Sequence, residues 1–308
     1  MEQRPSTAEP LVIVIGHAAL DSVYRIARFP PEPAKVRALE HLECGGGSAA
    51  NAAAAIAHLG GNAEFWSRTG ADETGRRILD SLRKDGVATD YVRIHAGSRS
   101  SQAAVIVDER GERLIVSERD HAMPSTLDGL PIAHIASAAA VLSDLRWFEA
   151  TFAAFTEARR VNVPSLLDID IGGGGLAERF IPMTDYAIFS AEGLTAYAGE
   201  GPHMELLGVA LAAGVRHAGV TLGAGGYLWR TRSGEQGFQP AFKVQPVTDT
   251  TGAGDAFHGA FAWALAHGHA DAQCARIASA VAALSIRGLG ARSGLPARED
   301  VIALLGEG

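Results

Sequence analysis

The chain has 308 residues, 47% hydrophobic and 20% charged, which suits a globular protein with a sizeable core and not a disordered one. Its 27 basic and 35 acidic residues give a formal net charge of −8, which argues against a general nucleic-acid binder, since such a protein needs a basic face to displace counterions. Two cysteines, Cys44 and Cys274, come with no CxxC or Cys/His cluster, so they fit reduced thiols and no zinc site. No apolar run reaches the roughly 20 residues needed to cross a bilayer, and a cytoplasmic protein is expected.

Residues 1–10 are polar and proline-containing and read as a disordered tail. Leu11–Ile15 is a continuous β-branched run closed by Gly16, the pattern of a strand buried on both faces. Similar runs recur at 139–142, 165–169, 186–189 and 219–222, separated by helical stretches at 48–59, 74–85, 148–160 and 204–213. That alternation predicts an α/β, doubly wound, mainly parallel sheet. Segments 23–43 and 100–118 instead alternate polar and apolar residues, with a hairpin turn at Glu109-Arg110-Gly111. They read as a small β lid, or else as edge strands of the main sheet. No repeat or linker divides the chain, so one domain is expected over 11–300.

Three glycine-rich motifs carry the chemistry. In Asp249-Thr-Thr-Gly-Ala-Gly-Asp-Ala-Phe-His-Gly-Ala-Phe261, a strand-like segment runs into Gly252-Ala253-Gly254 and then into an apolar helix. A helix start of this kind offers free N–H groups and the positive end of the dipole, an anion hole for a transferring phosphoryl group. Asp255 beside it is placed to take a proton from an attacking hydroxyl, or to act simply as a helix cap. The Walker lysine is absent. In Gly45-Gly-Gly-Ser-Ala-Ala-Asn51, glycines permit close approach to a ligand and Asn51 offers a donor and an acceptor; a tight turn is the alternative. Thr221-Leu-Gly-Ala-Gly-Gly-Tyr227 reads as a turn beside a nucleotide or as a plain hairpin.

None of the eleven histidines falls at metal-ligand spacing. His58, His217 and His267 read as surface or packing residues of helical stretches. His258, three residues after Asp255, shares its helix face and reads as packing, with tuning of the site as the alternative. Trp147 reads as pocket wall or core, and Gly172 to Gly175 as a loop that moves or an ordinary one.

In these three motifs and their order, from Val12 to Pro296, the chain resembles the ribokinase-like (PfkB) carbohydrate kinases. The resemblance implies ATP and Mg²⁺, Asp255 as base, and Gly252, Ala253 and Gly254 as the anion hole. It also implies that Asp21 and Asn51 bind sugar hydroxyls with Gly46 and Gly47 close by, and that Thr221, Gly223, Gly226 and Gly254 lie near the nucleotide. A K⁺ site at Asp249, Thr251 and Gly290 and a homodimer built through lid strands follow from the same likeness. The family's Asn-x-x-Glu pattern is displaced here to Ser190-Ala-Glu-Gly193, so Ser190 is expected by the nucleotide and Glu192 by the metal. Within the family, the stretches at 100–108, 144–147, 168–170 and 239–244 resemble the sulfofructose-kinase branch. That likeness implies phosphorylation of the 1-hydroxyl of 6-deoxy-6-sulfofructose, with Lys35, Arg146, Gln102 and Ser117 at the substrate. Ser117 stands where that branch has asparagine, and Asn51 where it can have threonine. Other ketoses, sugar acids, sugar phosphates, nucleosides and a non-catalytic sensor are the alternatives.

Overall fold

The computed structural model describes residues 8–170 and 175–306, so the loop expected at Gly172 to Gly174 and most of the polar tail lie outside the described residues. The strands, in chain order, are β1 (Leu11–Ile15), β2 (Ala19–Arg25), β3 (Glu40–Gly46), β4 (Asn62–Gly70), β5 (Val92–His95), β6 (Gln102–Val107), β7 (Arg113–Glu118), β8 (Ala140–Asp144), β9 (Ser165–Ile169), β10 (Tyr186–Ser190), β11 (His217–Thr221), β12 (Tyr227–Thr231) and β13 (Gln236–Gln239). The helices are α1 (Ser48–His58), α2 (Glu73–Lys84), α3 (Phe148–Val161), α4 (Ala177–Phe180), α5 (Ala191–Ala198), α6 (His203–Ala212), α7 (Ala253–Ala266), α8 (Asp271–Ser285) and α9 (Arg298–Leu305).

The large sheet runs β13-β12-β11-β10-β9-β8-β1-β4-β5 and is parallel except for β12 and β13. The apolar run of β1 is buried because strands flank it on both sides and helices cover both faces. One core, under α1, α2, α7, α8 and α9, takes Val12 and Val14; the other, under α3, α4, α5 and α6, takes Ile13 and Ile15. From β1 the chain proceeds to β4 on one side and later to β8 on the other, so the strand order switches there. In open α/β sheets the carboxyl ends at such a point form the ligand crevice.

Segments 23–43 and 100–118 contribute not edge strands of the large sheet but a separate sheet, β3-β2-β6-β7, which has its own small core of Val23, Val105, Val107 and Leu289. Two expectations need correction. The tail is held from Glu9, whose carboxylate lies 2.9 Å from His267 Nε2. His217 is not helical: it sits in β11, fully buried, with Nδ1 2.9 Å from Asp271 and Nε2 2.8 Å from the Tyr227 hydroxyl. A buried imidazole with a partner on each nitrogen is structural. Trp147 is core, 1% exposed, and Cys44 and Cys274 are free thiols.

One packing contact places the site. The alanines of α1 lie against α7 at Gly259, where an added Cβ would come 2.3 Å from the Ala52 carbonyl oxygen. Backbone therefore meets backbone there, and the first turns of the two helices come together. We predict that Gly259→Ala costs about 1–3 kcal/mol of stability, the usual cost of overpacking. Denaturant unfolding of the two proteins measures it, and an unchanged midpoint would mean the helices separate freely.

Candidate active site

Asp255 stands in the first turn of α7, whose N-cap is Gly252 at φ 77°. That left-handed conformation favours glycine, and a Cβ there would lie 2.6 Å from the Ala291 Cβ. The N–H groups of Gly254 and Asp255 enter no backbone hydrogen bond among the described residues, and nothing lies within 4 Å of a Cβ placed on Gly254. Of the residues expected to form the anion hole, Ala253 donates its N–H to the Thr250 carbonyl at 3.3 Å, so the open donors at this helix start are those of Gly254 and Asp255, with open space before Gly254.

Asn51, one turn into α1, donates from Nδ2 to Asp255 Oδ2 at 2.8 Å, across 204 residues of sequence. Burial, then the nearby Asp168 carboxyl, pushes the Asp255 carboxyl up to about 7, while the Asn51 hydrogen bond works in the opposite direction. A carboxyl held near neutrality is matched to general-base work. His258 is buried, its Nε2 3.5 Å from Asp168, with the backbone of Gly254 and Ile188 beside its ring. Burial lowers the His258 imidazole and raises Asp168 well above the carboxylate range. His258 therefore stands beside the site carboxyls.

The floor between β1 and β8 is organised by Asp144. Its Oδ2 accepts from the His17 N–H (2.8 Å), the Ser48 hydroxyl (2.8 Å) and the Ala49 N–H (3.2 Å), so it caps α1 from another strand. Asp21 on β2 is 7% exposed and is pushed up to about 6 by burial, against the opposing pull of Arg292. A Cβ on Gly46 would strike the Asp21 carboxylate at 2.1 Å, and Gly47 is the N-cap of α1 at φ 89°, so Asp21, Gly46, Gly47 and Asn51 form one wall.

Toward the lid opens a cavity of about 420 Å³ lined by His17, Arg68, Arg119, Asp120, Arg146 and Glu149 among others. Arg146 pairs with Asp170 at 2.7 Å. Arg68 donates to the carbonyls of Pro124 (2.9 Å) and Arg146 (3.2 Å) and lies over the Trp147 ring at 4.9 Å. Burial drives the His17 imidazole down to about 4, so it is neutral at physiological pH. Lys35 and Ser117 are exposed on the lid segments and do not line this cavity; Gln102 is exposed on β6, opposite Leu20.

Farther along the same row of strand ends, Ser190 and Thr221 face each other in register. Ser190 Oγ caps α5 by accepting from Gly193 N at 2.9 Å, and Glu192 is exposed in that helix's first turn. A lone exposed carboxylate fits Mg²⁺ held mainly by phosphates and water. Gly223 and Gly226 turn the chain from β11 into β12 at φ 55° and 93°. Asp249 accepts from Thr251 N and Gly290 N, both at 2.8 Å, which brings the three K⁺-site candidates together. Thr251 Oγ1 is buried with no partner, an orphan oxygen that a cation would satisfy.

Reading the sequence missed Arg292, Arg68, Arg119 and His17. None belongs to a motif with recognisable spacing, although an arginine set among glycines at Gly290-Ala-Arg-Ser-Gly294 was a visible signal.

Asp255 titrates near 7 in the folded chain against about 3.9 for an unperturbed aspartate. The folded protein then binds the extra proton, and stability falls as pH rises from about 4 through 7. Asp255→Asn should melt a few degrees higher than the parent at pH 8 and converge with it near pH 4, as followed by thermal denaturation; equal melting points at both pH values would refute the buried charge.

Comparison with known proteins agrees with this geometry. The profile described as pfkB family carbohydrate kinase matches residues 9–298. A ribokinase of Bacillus subtilis is 30% identical over 96% of this chain and 99% of its own, and a fructokinase of Klebsiella pneumoniae is 31% identical over 84% and 91%. The structure of Arabidopsis thaliana ribokinase complexed with ribose and ATP superposes with a TM-score of 0.84 at 27% identity, covering 97% of this chain and 99% of that one. The profile match over nearly the whole chain shows that it belongs to the pfkB family of carbohydrate kinases, phosphotransferases that act on a sugar hydroxyl.

Proposed function

We propose that this kinase transfers the γ-phosphoryl group of ATP to the 1-hydroxyl of an anionic ketose, 6-deoxy-6-sulfofructose. The observation that carries the reading is Asp255, held by Asn51 at a helix start where the Gly254 and Asp255 N–H groups enter no backbone hydrogen bond among the described residues. Asp21 and Asn51 hold sugar hydroxyls. Asp255 takes the proton of the attacking hydroxyl as its oxygen bonds to phosphorus and ADP leaves. The Gly252–Gly254 N–H groups stabilise the charge on the transferring group.

The anionic end of the substrate is assigned to the cavity. Its arginines Arg68, Arg119 and Arg146 outweigh Asp120 and Glu149, and Arg119 makes no ion pair among the described residues. Those residues support an anion more directly than Lys35 or Ser117, which reach the site only if the lid closes. Thr221, Gly223, Gly226 and Ser190 are assigned to the nucleotide, Glu192 to Mg²⁺, and Asp249, Thr251 and Gly290 to K⁺. When bound, the metal neutralises phosphate charge. A homodimer through the lid fits Leu114, Ile115 and Val116, consecutive exposed apolar residues on edge strand β7. No helix among the described residues is long and apolar enough to cross a membrane, and we assign the protein to the cytoplasm.

ADP release with MgATP, measured over a panel of sulfofructose, fructose 6-phosphate, fructose, ribose, 2-keto-3-deoxygluconate and adenosine, tests the substrate. Sulfofructose should have the highest kcat/KM; preference for fructose or ribose would discard the anion assignment and leave the kinase. Asp255→Asn should lower kcat by about 10²–10⁴-fold, the range for a lost general base. Activity of the parent should fall away below about pH 7, where Asp255 becomes protonated; a flat profile down to pH 5 would count against that base.

A further inference from the structure

Arg292 lies in the loop between α8 and α9, 6% exposed, and its guanidinium bonds residues far away in sequence. Its Nε donates to Asn51 Oδ1 at 2.8 Å, and its Nη2 donates to the Gly46 carbonyl at 3.2 Å. Its Nη1 reaches Ser81 at 3.5 Å and the Asp85 carboxylate at 3.4 Å. A Cβ on Gly45 would lie 2.3 Å from Nη1, so the guanidinium runs directly beneath the glycines of the sugar-binding wall.

The chemistry of these groups permits one arrangement. A guanidinium only donates hydrogen bonds and a carboxylate only accepts them. Asn51, between the two, satisfies both only with Oδ1 toward Arg292 and Nδ2 toward Asp255, the orientation observed. Rotated by half a turn, its amide would set oxygen against the Asp255 carboxylate and NH₂ against a cation. We infer that Arg292 is a positioning residue of the kinase: it locks the Asn51 amide so that Asn51 donates to the catalytic base, and it ties that lock to the Gly46 carbonyl of the sugar-binding wall.

The inference rests on Asp255 being the base. Other titratable groups must be kept in view. Around Arg292 these are Asp85 at the C-cap of α2, itself 3.7 Å from His58, together with Asp21 on β2 and Cys44 on β3. Around Asp255 they are Asp168 and Asp170 at the end of β9 and His258 on α7. Arg292 does not act on Asp255 directly but through Asn51, and that makes the test specific.

The experiment is the pH profile of kcat/KM for the parent, Arg292→Met, Arg292→Lys, Asn51→Ala and the Asn51→Ala/Arg292→Met double variant, each checked for folding by thermal denaturation. With the amide free to turn, Asp255 loses the donor that keeps its proton affinity down. The acid limb in Arg292→Met should then move up by about one pH unit, a tenfold change in proton affinity comparable to one lost hydrogen bond. Asn51→Ala should shift the limb similarly, and adding Arg292→Met should shift it no further. Arg292→Lys keeps the charge opposite Asp85 but replaces the planar fork, whose Nε and Nη2 serve Asn51 and Gly46 from separate nitrogens, by one rotating ammonium. It should shift the limb as well, and it decides the matter if the methionine variant fails to fold. A uniform loss of rate with the limb in place, or additive shifts in the double variant, would overturn the relay. Asp255→Asn run alongside separates the two readings: near-parent turnover there removes the base itself, whereas an inactive Asp255→Asn with an unmoved limb in both Arg292 variants removes only the relay.

Discussion

Everything at this site depends on one hydrogen bond, from the Asn51 amide to the Asp255 carboxylate. It spans 204 residues of sequence, and it exists because α1 and α7 approach closely enough for a glycine to be required at 259. The alanines of α1 permit the approach; larger side chains would separate the two helix starts and leave the base without its donor. Asp144 completes the arrangement from below by capping α1 from the end of β8. The geometry of the candidate site is thus a consequence of helix packing over a strand-order switch.

The second feature is the distribution of charge. Asp144, Asp168 and Asp170 lie at or just beyond neighbouring strand ends, with Asp255 above them. Burial first, and neighbouring carboxyls second, raise Asp168 and Asp255. The cost falls on stability and the benefit on chemistry, because a base that titrates near neutrality accepts a hydroxyl proton readily. Cationic groups surround this row without cancelling it: Arg146 pairs with Asp170, Arg68 is satisfied largely by carbonyl oxygens, and Arg292 faces Asp85. The cavity keeps its arginine lining.

The lid sheet accounts for the distance between the sequence reading and the cavity. Lys35 and Ser117 occupy lid segments whose position over the main sheet is a rigid-body matter, and periodicity carries no information about it. Arg68, by contrast, sits on β4 of the main sheet and reaches the cavity from a fixed scaffold. Local sequence offered no reason to choose it over the other arginines.

The sequence by itself determined the sheet, the helices and the three glycine motifs, because apolar periodicity and glycine conformational freedom act over a few residues. It also singled out Asp255 and Asn51, which lie in motifs of fixed local spacing, while Asp21 came only through the family resemblance. It placed His217 in a helix because a histidine between an alanine-rich stretch and a short strand gives no local sign of the buried Asp271–Tyr227 pair that holds it. Only the tertiary structure decided which carboxyls share one low-dielectric floor, which arginines line the cavity, and that Arg292 meets Asn51 from 241 residues away. Those outcomes depend on desolvation and on contacts between distant segments, and both come into being only when the chain has folded.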